Sequence, residues 1–196
     1  MKIIITENQL KNLVLLDQED KLPKKDFVLT KNKARPSLWD FIRDEERFIG
    51  YTYDDRRKWK DGKPIKYTGG TQYGTLTIGY GHTGSDVKKN QTITKTKGEK
   101  LLDLDINKAA STIRFILNKW KKAEVSGKPY MVTQGMYEAM ISLTFNAGRG
   151  AVMRSDWIQD VKKGKYVDAS DKIKSWRKPN NTRREKESEL FCSDGC

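Results

Sequence analysis

The sequence predicts an α+β fold in which a small antiparallel β-sheet, early in the chain, packs on a mainly helical part. Two short stretches of alternating residues, 51–53 and 75–80, indicate strands, and the glycines between them mark turns. From residue 94 onward the apolar residues recur instead at helical spacing. Because the strands and the helices come from separate parts of the chain, we expect a cleft between them.

The length and composition suit one domain with a modest core and a short appendage: of 196 residues, 36% are hydrophobic and 33% are charged. No stretch approaches the roughly 18–20 consecutive apolar residues of a membrane span. The first residues also lack the apolar segment of a signal peptide. We therefore expect the chain to stay in the cytoplasm in which it is made, unless another factor releases it.

The appendage is predicted at residues 1–36, ahead of a main domain at 37–196. Thr6 and Gln9 have the spacing of a capping box and indicate a short N-terminal helix. Residues 17–36 are rich in charge, contain two prolines and show no sustained period. This segment is therefore predicted to be a linker.

The main domain contains several helix signals. Ser37 is a plausible N-cap of the first helix, Thr94 or Thr96 of the second, and Thr133 of the third. Residues 155–191 indicate two or three shorter helices with a break near a proline. The core positions predicted for the second and third helices are Leu102, Ile106, Ala109, Ile113, Leu117, Met136, Met140, Leu143 and Ala147.

The formal net charge of +13 favours polyanionic partners through long-range attraction and counterion release. Nucleic acid is the commonest such partner, but teichoic acids and anionic cell-wall peptides fit equally well. No recognised nucleic-acid-binding motif occurs, so we expect no specific nucleic-acid partner. A solvated basic surface without any specific ligand is a further interpretation.

Two cysteines, Cys192 and Cys196, both lie in the last five residues and cannot staple a core. Their spacing allows a local disulfide or half of a metal site. No second cysteine pair exists, and the single histidine is distant in sequence. Free thiols are therefore the prediction.

A pair of carboxylates gives the strongest functional signal. Glu46 and Asp55 are separated by eight residues and are followed by the glycine-rich segment 77–83. Two carboxyls across a narrow cleft are what glycoside hydrolysis requires, one to protonate the leaving oxygen and one to assist attack at the sugar carbon. Taken alone, Glu46 in the acidic run 44–46 would more often be part of a solvated helix face.

The pattern resembles the bacteriophage lysozymes, the endolysins or muramidases of glycoside hydrolase family 24. That family has a Glu, eight residues, an Asp, and then Thr-Ile-Gly-x-Gly-His, as Glu46, Asp55 and 77–82 do here. Further segments resemble the family in the same order, so that the likeness covers about residues 37–191. These segments are 93–105, Phe145-Asn146-Ala147-Gly148 and 183–191.

The resemblance implies a lysozyme-like catalytic domain that hydrolyses the β-1,4 bond between N-acetylmuramic acid and N-acetylglucosamine in bacterial peptidoglycan. Glu46 would be the general acid, Asp55 would position or deprotonate the attacking water, and Thr77 would hold that water from the opposite face. The family is usually described as inverting, and needs no metal or organic cofactor. The residues that match its saccharide cleft are Thr83, Phe145 and Asn146.

The resemblance also implies a monomer that waits in the host cytoplasm, reaches the wall through a separate pore-forming protein and lyses the cell. The basic surface would add contacts to anionic wall polymers. An alternative is a virion-associated or wall-binding protein on a lysozyme scaffold that has lost turnover. A third hypothesis, a nucleic-acid binder, rests on charge alone.

The sequence departs from the family pattern in three places. Arg47 stands where a glycine normally follows the catalytic Glu. Glu45 and Asp54 share the eight-residue spacing, so a register shifted by one residue is open. Tyr53 lies where the family has a tyrosine, which favours the Glu46 register.

The third departure is an insertion, residues 56–74, because 21 residues separate the Asp from the Thr where the family has five. It is basic and aromatic, and it contains a single acidic residue. It could stack on sugar rings and contact wall carboxylates, or it could be a tolerated surface loop. Its basic and aromatic residues are Arg56, Arg57, Lys58, Lys60, Lys63, Lys66, Trp59, Tyr67 and Tyr73.

His82 has an unperturbed pKa near neutrality, which would suit a proton shuttle. In the family, however, this histidine is structural and its partner matches Asp105. The prediction is therefore a His82–Asp105 ion pair that joins the sheet to the long helix.

Overall fold

The computed structural model describes residues 33–122, 132–176 and 181–196. The predicted N-terminal helix and nearly all of the predicted linker, within residues 1–32, lie outside the described residues. The predicted break near Pro179 also lies outside them.

The helices and strands follow the predicted order along the described residues. The helices are α1 (Pro36–Glu46), α2 (Lys95–Lys122), α3 (Gln134–Ala147), α4 (Arg149–Met153), α5 (Asp156–Lys162), α6 (Tyr166–Ser175) and α7 (Asn181–Cys192). The strands are β1 (Ile49–Asp54), β2 (Trp59–Lys60), β3 (Lys63–Pro64), β4 (Leu76–Gly79) and β5 (His82–Thr83).

The predicted α+β fold is confirmed. Strands β1, β4 and β5 form an antiparallel sheet in the order β1-β4-β5, and β2 and β3 form a separate hairpin between β1 and β4. The later part of the chain is helical, with α3 packed against α2 and α7. For residues 155–191 two or three short helices were predicted, and the structure has α5, α6 and α7 there.

Helix α1 begins two residues earlier than predicted, and the prediction of Ser37 as its N-cap is wrong. Pro36 takes the first helical position, where its fixed φ suits the helix and its missing N–H is not needed. Arg35 supplies the cap position without a side-chain cap. Its backbone N–H and its guanidinium instead donate to the buried Glu138 of α3, at 2.6 and 2.8 Å. These bonds fix the start of α1 to the core.

The residue after α1 has an unusual backbone. Arg47 has φ 53° and ψ 145°, a conformation that suits glycine, and its N–H donates to Arg43 O. The family pattern has glycine at this position. This chain has arginine there, yet its backbone keeps a conformation that suits glycine.

The helical core follows the predicted apolar stripes. All five positions predicted on α2 are buried, as are the first three on α3, whereas the fourth, Ala147, is only half-buried. The predicted cap of α3 is also confirmed, since Thr133 Oγ1 accepts from the Met136 N–H at 3.2 Å. A smaller cluster of Ile78, Val87 and Leu101 joins the sheet to α2.

His82 forms the predicted ion pair. Its Nδ1 lies 2.7 Å from Asp105 Oδ2 on α2, and its Nε2 lies 3.1 Å from Asp86 Oδ2. Burial lowers the pKa of His82, but the hydrogen bonds and negative charges of Asp105 and Asp86 outweigh burial and raise it. His82 therefore bridges β5 and the long helix.

The prediction of free thiols is wrong, because Cys192 and Cys196 form a disulfide. Helix α7 ends at Cys192, and the chain then turns through Gly195, which has φ 92°. The turn brings the two Cα atoms to 5.1 Å, within the usual range for a disulfide. The bond closes the turn that follows α7.

Candidate active site

Three side chains lie in a row across the sheet. Tyr53 of β1 is opposite Thr77 of β4, which is opposite Thr83 of β5. Residues directly opposite one another in a sheet share a face, and successive residues alternate. Ile78 is therefore on the other face, where it packs in the smaller apolar cluster. The row consequently faces away from that cluster.

Glu46 occupies the last turn of α1, close to the turn between β4 and β5. A Cβ placed on Gly81 would lie 3.1 Å from Glu46 Oε2, and Gly81 has φ 81°. Glycine at this position therefore serves both the turn and the close approach of the carboxylate. The Glu46 side chain is 18% exposed.

An arginine from the far end of the chain holds Glu46. Arg183 of α7 donates through Nη1 to Glu46 Oε1 at 2.5 Å, and through Nε to Glu187 Oε1 at 3.1 Å. The Arg183 side chain is only 8% exposed, and Glu187 is buried. Glu187 in turn pairs with Arg184 and accepts from Ser142 Oγ at 2.6 Å. A buried charged network thus fixes the position of Glu46.

Asp55 follows directly after β1 and is exposed. Its Oδ1 accepts from the Thr75 N–H at 2.8 Å, just before β4. A side chain at Gly74 would overlap Asp55 Oδ1, so this close approach also requires a glycine. Thr77 is buried, and its hydroxyl donates to Thr75 O at 3.2 Å.

Tyr53 links the two candidate carboxylates. Burial and, after it, the nearby negative charges of Glu46 and Asp55 together raise the pKa of its phenol to about 12. Both carboxylates therefore act on one hydroxyl, with Thr77 as the cross-strand neighbour of Tyr53. Glu46 and Asp55 thus both lie near Tyr53, and Thr77 is paired with it across the sheet.

The alternative pair, Glu45 and Asp54, has structural contacts instead. Glu45 forms an ion pair with Lys186 of α7 at 2.6 Å. Asp54 is 1% exposed and accepts backbone N–H groups from Tyr73 at 2.6 Å and Arg56 at 3.1 Å. Burial raises the pKa of Asp54, but these bonds outweigh burial and lower it. Asp54 is therefore a buried structural carboxylate, whereas Asp55 is exposed.

An open groove of about 280 Å³ begins at Gly81 and runs between the sheet and helices α2 and α3. Thr83 and Phe145, two of the predicted substrate-binding residues, line it. The third, Asn146, does not, because its Oδ1 accepts from Arg184 Nη2 at 2.6 Å. The other lining residues are Asp105, Lys108, Ala109, Thr112, Thr144, Gly148 and Arg149.

The chain is similar to known proteins of one family. The sequence model of the phage lysozyme family matches residues 61–187. The chain belongs to the phage lysozyme family. The matched region includes the turn from β4 to β5, both walls of the groove and Arg183, and it begins after Glu46 and Asp55.

Two endolysins illustrate the likeness to other members of the family. The endolysin of Salmonella phage P22 is 30% identical over 149 residues, which cover 70% of this chain and 93% of that protein. The endolysin of Bacillus phage B103 is 34% identical over 122 residues, which cover 59% of this chain. This chain spans only 42% of the length of the B103 protein.

A solved structure shows the same fold. A crystal structure of a mutant P22 lysozyme superposes with a TM-score of 0.56 at 26% identity, covering 82% of this chain and 98% of that one. No helix in the described part of this family member is long and apolar enough to cross a membrane. Within the same residues, no group of three or more His, Cys, Asp or Glu side chains could hold a metal ion.

Arg183 is the site residue that sequence reasoning missed. The Arg-Arg-x-x-Glu segment at 183–187 contributed to the family resemblance, but nothing in local spacing connects it with Glu46. The two residues are 137 positions apart. The packing of both α1 and α7 against α3 brings them together.

Proposed function

We propose that this protein is an endolysin that hydrolyses the β-1,4 bond between N-acetylmuramic acid and N-acetylglucosamine in bacterial peptidoglycan. The observations that support the proposal are that Glu46 adjoins Gly81, which lines the groove, and that the charges of Glu46 and Asp55 both act on the Tyr53 phenol. Glycoside hydrolysis needs two carboxyls at such a position, and family membership supports the substrate class.

In this mechanism Glu46 is the general acid. Arg183 engages Oε1, while Oε2 faces Gly81, which lines the groove. Oε2 is therefore the oxygen that carries the proton to the glycosidic oxygen as the bond to the sugar carbon breaks. The carboxyl is held in place by Arg183 and Glu187, so that its geometry is fixed before substrate binds.

Asp55 and Thr77 act on the water. The Thr75 N–H holds Asp55 Oδ1, and Oδ2 accepts a proton from the water as its oxygen bonds to the sugar carbon. Thr77, beside Tyr53 on the sheet, holds that water through its hydroxyl. Attack by water without a covalent intermediate inverts the configuration at the sugar carbon.

The protein reaches its substrate, in this proposal, after release from the host cytoplasm to the wall, and host lysis follows. It acts as a monomer, and the basic surface adds affinity for anionic wall polymers.

The direct test is the release of soluble muropeptides from purified peptidoglycan. The native protein should give products with a new reducing N-acetylmuramic acid, and Glu46→Gln should lower the rate by about 100-fold or more. Glu45→Gln is the matched control, because Glu45 adjoins Glu46 but pairs with Lys186, and it should retain near-native activity.

Two results would contradict the proposal. Loss of activity in Glu45→Gln with retention in Glu46→Gln would move the catalytic register by one residue. Absence of product from native protein that binds peptidoglycan would favour a wall-binding protein on a lysozyme scaffold.

A further inference from the structure

The insertion between β1 and β4, residues 56–74, is an ordered unit. Its hairpin pairs Trp59 with Pro64 and Lys60 with Lys63. Asp61 and Gly62, at the tip, have φ 50° and φ 70°, as a type I′ turn requires. The Asp61-Gly62 sequence at the tip therefore favours the hairpin.

Contacts within the insertion, together with a hydrogen bond to β1, hold the insertion against the sheet. Arg57 lies over the rings of Tyr67 and Tyr73, at 5.0 and 5.8 Å, and donates to Thr71 O at 2.6 Å. Tyr67 is buried and its N–H donates to Thr52 O of β1 at 2.7 Å. Such contacts give the surface of the insertion a defined shape relative to the active site.

Trp59 lies next to the candidate active site. Its ring meets the ring of Tyr53 edge-on, with centroids 6.5 Å apart and an interplanar angle of 73°. Tyr53 is the residue whose phenol is close to Glu46 and Asp55. Trp59 nevertheless remains 54% exposed, although a large aromatic ring is normally covered. Its open area is therefore free to bind a ligand beside Tyr53.

The same hairpin carries unpaired positive charge. Lys58, Lys60 and Lys63 are exposed, and no acidic side chain in the described ranges forms an ion pair with them. Asp61 is the only acidic residue of the insertion. A glycan strand with its stem peptides carries both saccharide rings and carboxylates. Such a polymer complements this combination of an aromatic ring and ammonium groups.

We propose that the insertion is a docking surface for the part of the peptidoglycan strand that extends beyond the cleft. Trp59 stacks on a saccharide ring of that strand, and Lys58, Lys60 and Lys63 bind carboxylates of its stem peptides. This inference rests on the proposed function, because it requires that the glycan strand bound in the cleft is the same strand that continues onto the hairpin.

The test measures binding without turnover. Glu46→Gln protein is sedimented with peptidoglycan sacculi freed of teichoic acid, and its affinity for chitohexaose, an uncharged soluble glycan, is measured in parallel. Trp59→Ala should weaken binding to both by about tenfold. Trp59→Phe, which keeps an aromatic face, should recover most of the loss. Ile65→Ala, on the same insertion and 44% exposed, is the control and should change neither.

A second variant separates charge from stacking. Lys60→Gln/Lys63→Gln should weaken binding to sacculi severalfold at low salt and much less at high salt, and should leave chitohexaose binding unchanged. The same two substitutions should raise KM for peptidoglycan in the otherwise native protein, with kcat little changed.

Three outcomes would overturn the proposal. They are native affinity of Trp59→Ala for sacculi, equal effects of the lysine substitutions on sacculi and chitohexaose, and binding that disappears when teichoic acid is extracted. The last would identify a phosphodiester polymer as the partner. Failure of the catalytic proposal is separate, since it would appear as absent muropeptide release with Trp59-dependent binding intact.

Discussion

The two candidate catalytic carboxylates are held in contrasting ways. Glu46 is mostly buried and is positioned by Arg183, a residue of a remote helix, through a buried network that includes Glu187. Asp55 is exposed and is positioned by the Thr75 N–H, across the base of the insertion between β1 and β4. The helical side of the cleft therefore depends on side-chain packing between remote helices, whereas the sheet side depends on the backbone at the ends of two paired strands.

The largest effect is expected where the buried network is broken. Glu187→Ala leaves the guanidinium groups of Arg183 and Arg184 buried without their shared partner, and should lower the free energy of unfolding by about 3–5 kcal/mol. Urea denaturation measures the loss. Glu189→Ala, on the exposed side of the same helix, is the matched control and should cost less than about 0.5 kcal/mol. Equal losses would mean that the network does not hold the helical side.

A smaller but more selective effect is expected at Arg183. Arg183→Met frees the Glu46 carboxylate to move, and should lower kcat on peptidoglycan by about 100-fold with little change in KM. Combined with Glu46→Gln, the same substitution should have almost no further effect on kcat. Lys186→Met is the control, because Lys186 pairs with Glu45 and should leave kcat unchanged. Additive losses in the double variant would show that Arg183 does not act through Glu46.

The stability contributed by His82, which joins the sheet to helix α2, should depend on pH. The folded protein raises the pKa of His82, so its stabilising contribution is complete below the unfolded value of about 6.5 and is lost as pH rises through the folded pKa. His82→Asn should therefore cost about 2 kcal/mol at pH 5.5 and clearly less at pH 9, measured by urea unfolding. Asp86→Asn keeps the Asp105 pair and should cost less. A loss independent of pH would show that the histidine is not charged in the fold.

The smallest effect is expected just after Glu46. Arg47→Gly should raise the free energy of unfolding by about 1 kcal/mol, because glycine adopts φ 53° and ψ 145° more readily than arginine. Thermal unfolding measures the gain, with kcat unchanged. Lys97→Gly, in the first turns of α2, is the control and should destabilise. Destabilisation in both variants would indicate that the Arg47 side chain has a stabilising role.

Much of the fold could be predicted because it depends on local patterns. Apolar spacing identified the buried positions of α2, and the preference of threonine for N-caps identified Thr133. Ser37 was wrongly predicted as the N-cap of α1. Serine and the proline before it are both signals for the start of a helix, and the proline determined where the helix begins. The disulfide was missed because the turn through Gly195 decides the distance between the cysteines.

The candidate site was predictable only in part, and for the same reason. Glu46, Asp55 and Thr77 lie within one short segment, whose resemblance to the family could be recognised from the sequence. The partner of Glu46 could not be found in this way, since the contact with Arg183 arises from packing between distant helices. The edge-on contact of Trp59 with Tyr53 likewise depends on how the insertion folds back on β1.

The distance along the chain between Glu46 and Arg183 also has a consequence for synthesis. A ribosome that has already made both carboxylates and Thr77 must add residues as far as 183 before the guanidinium that positions Glu46 exists. After Thr77 the ribosome adds 106 residues to reach Arg183, which at translation rates of about 5–20 residues per second takes about 5–21 s. Until then nascent chains carry the catalytic groups in an unassembled state, and hydrolytic capacity appears only after residue 183 has been added.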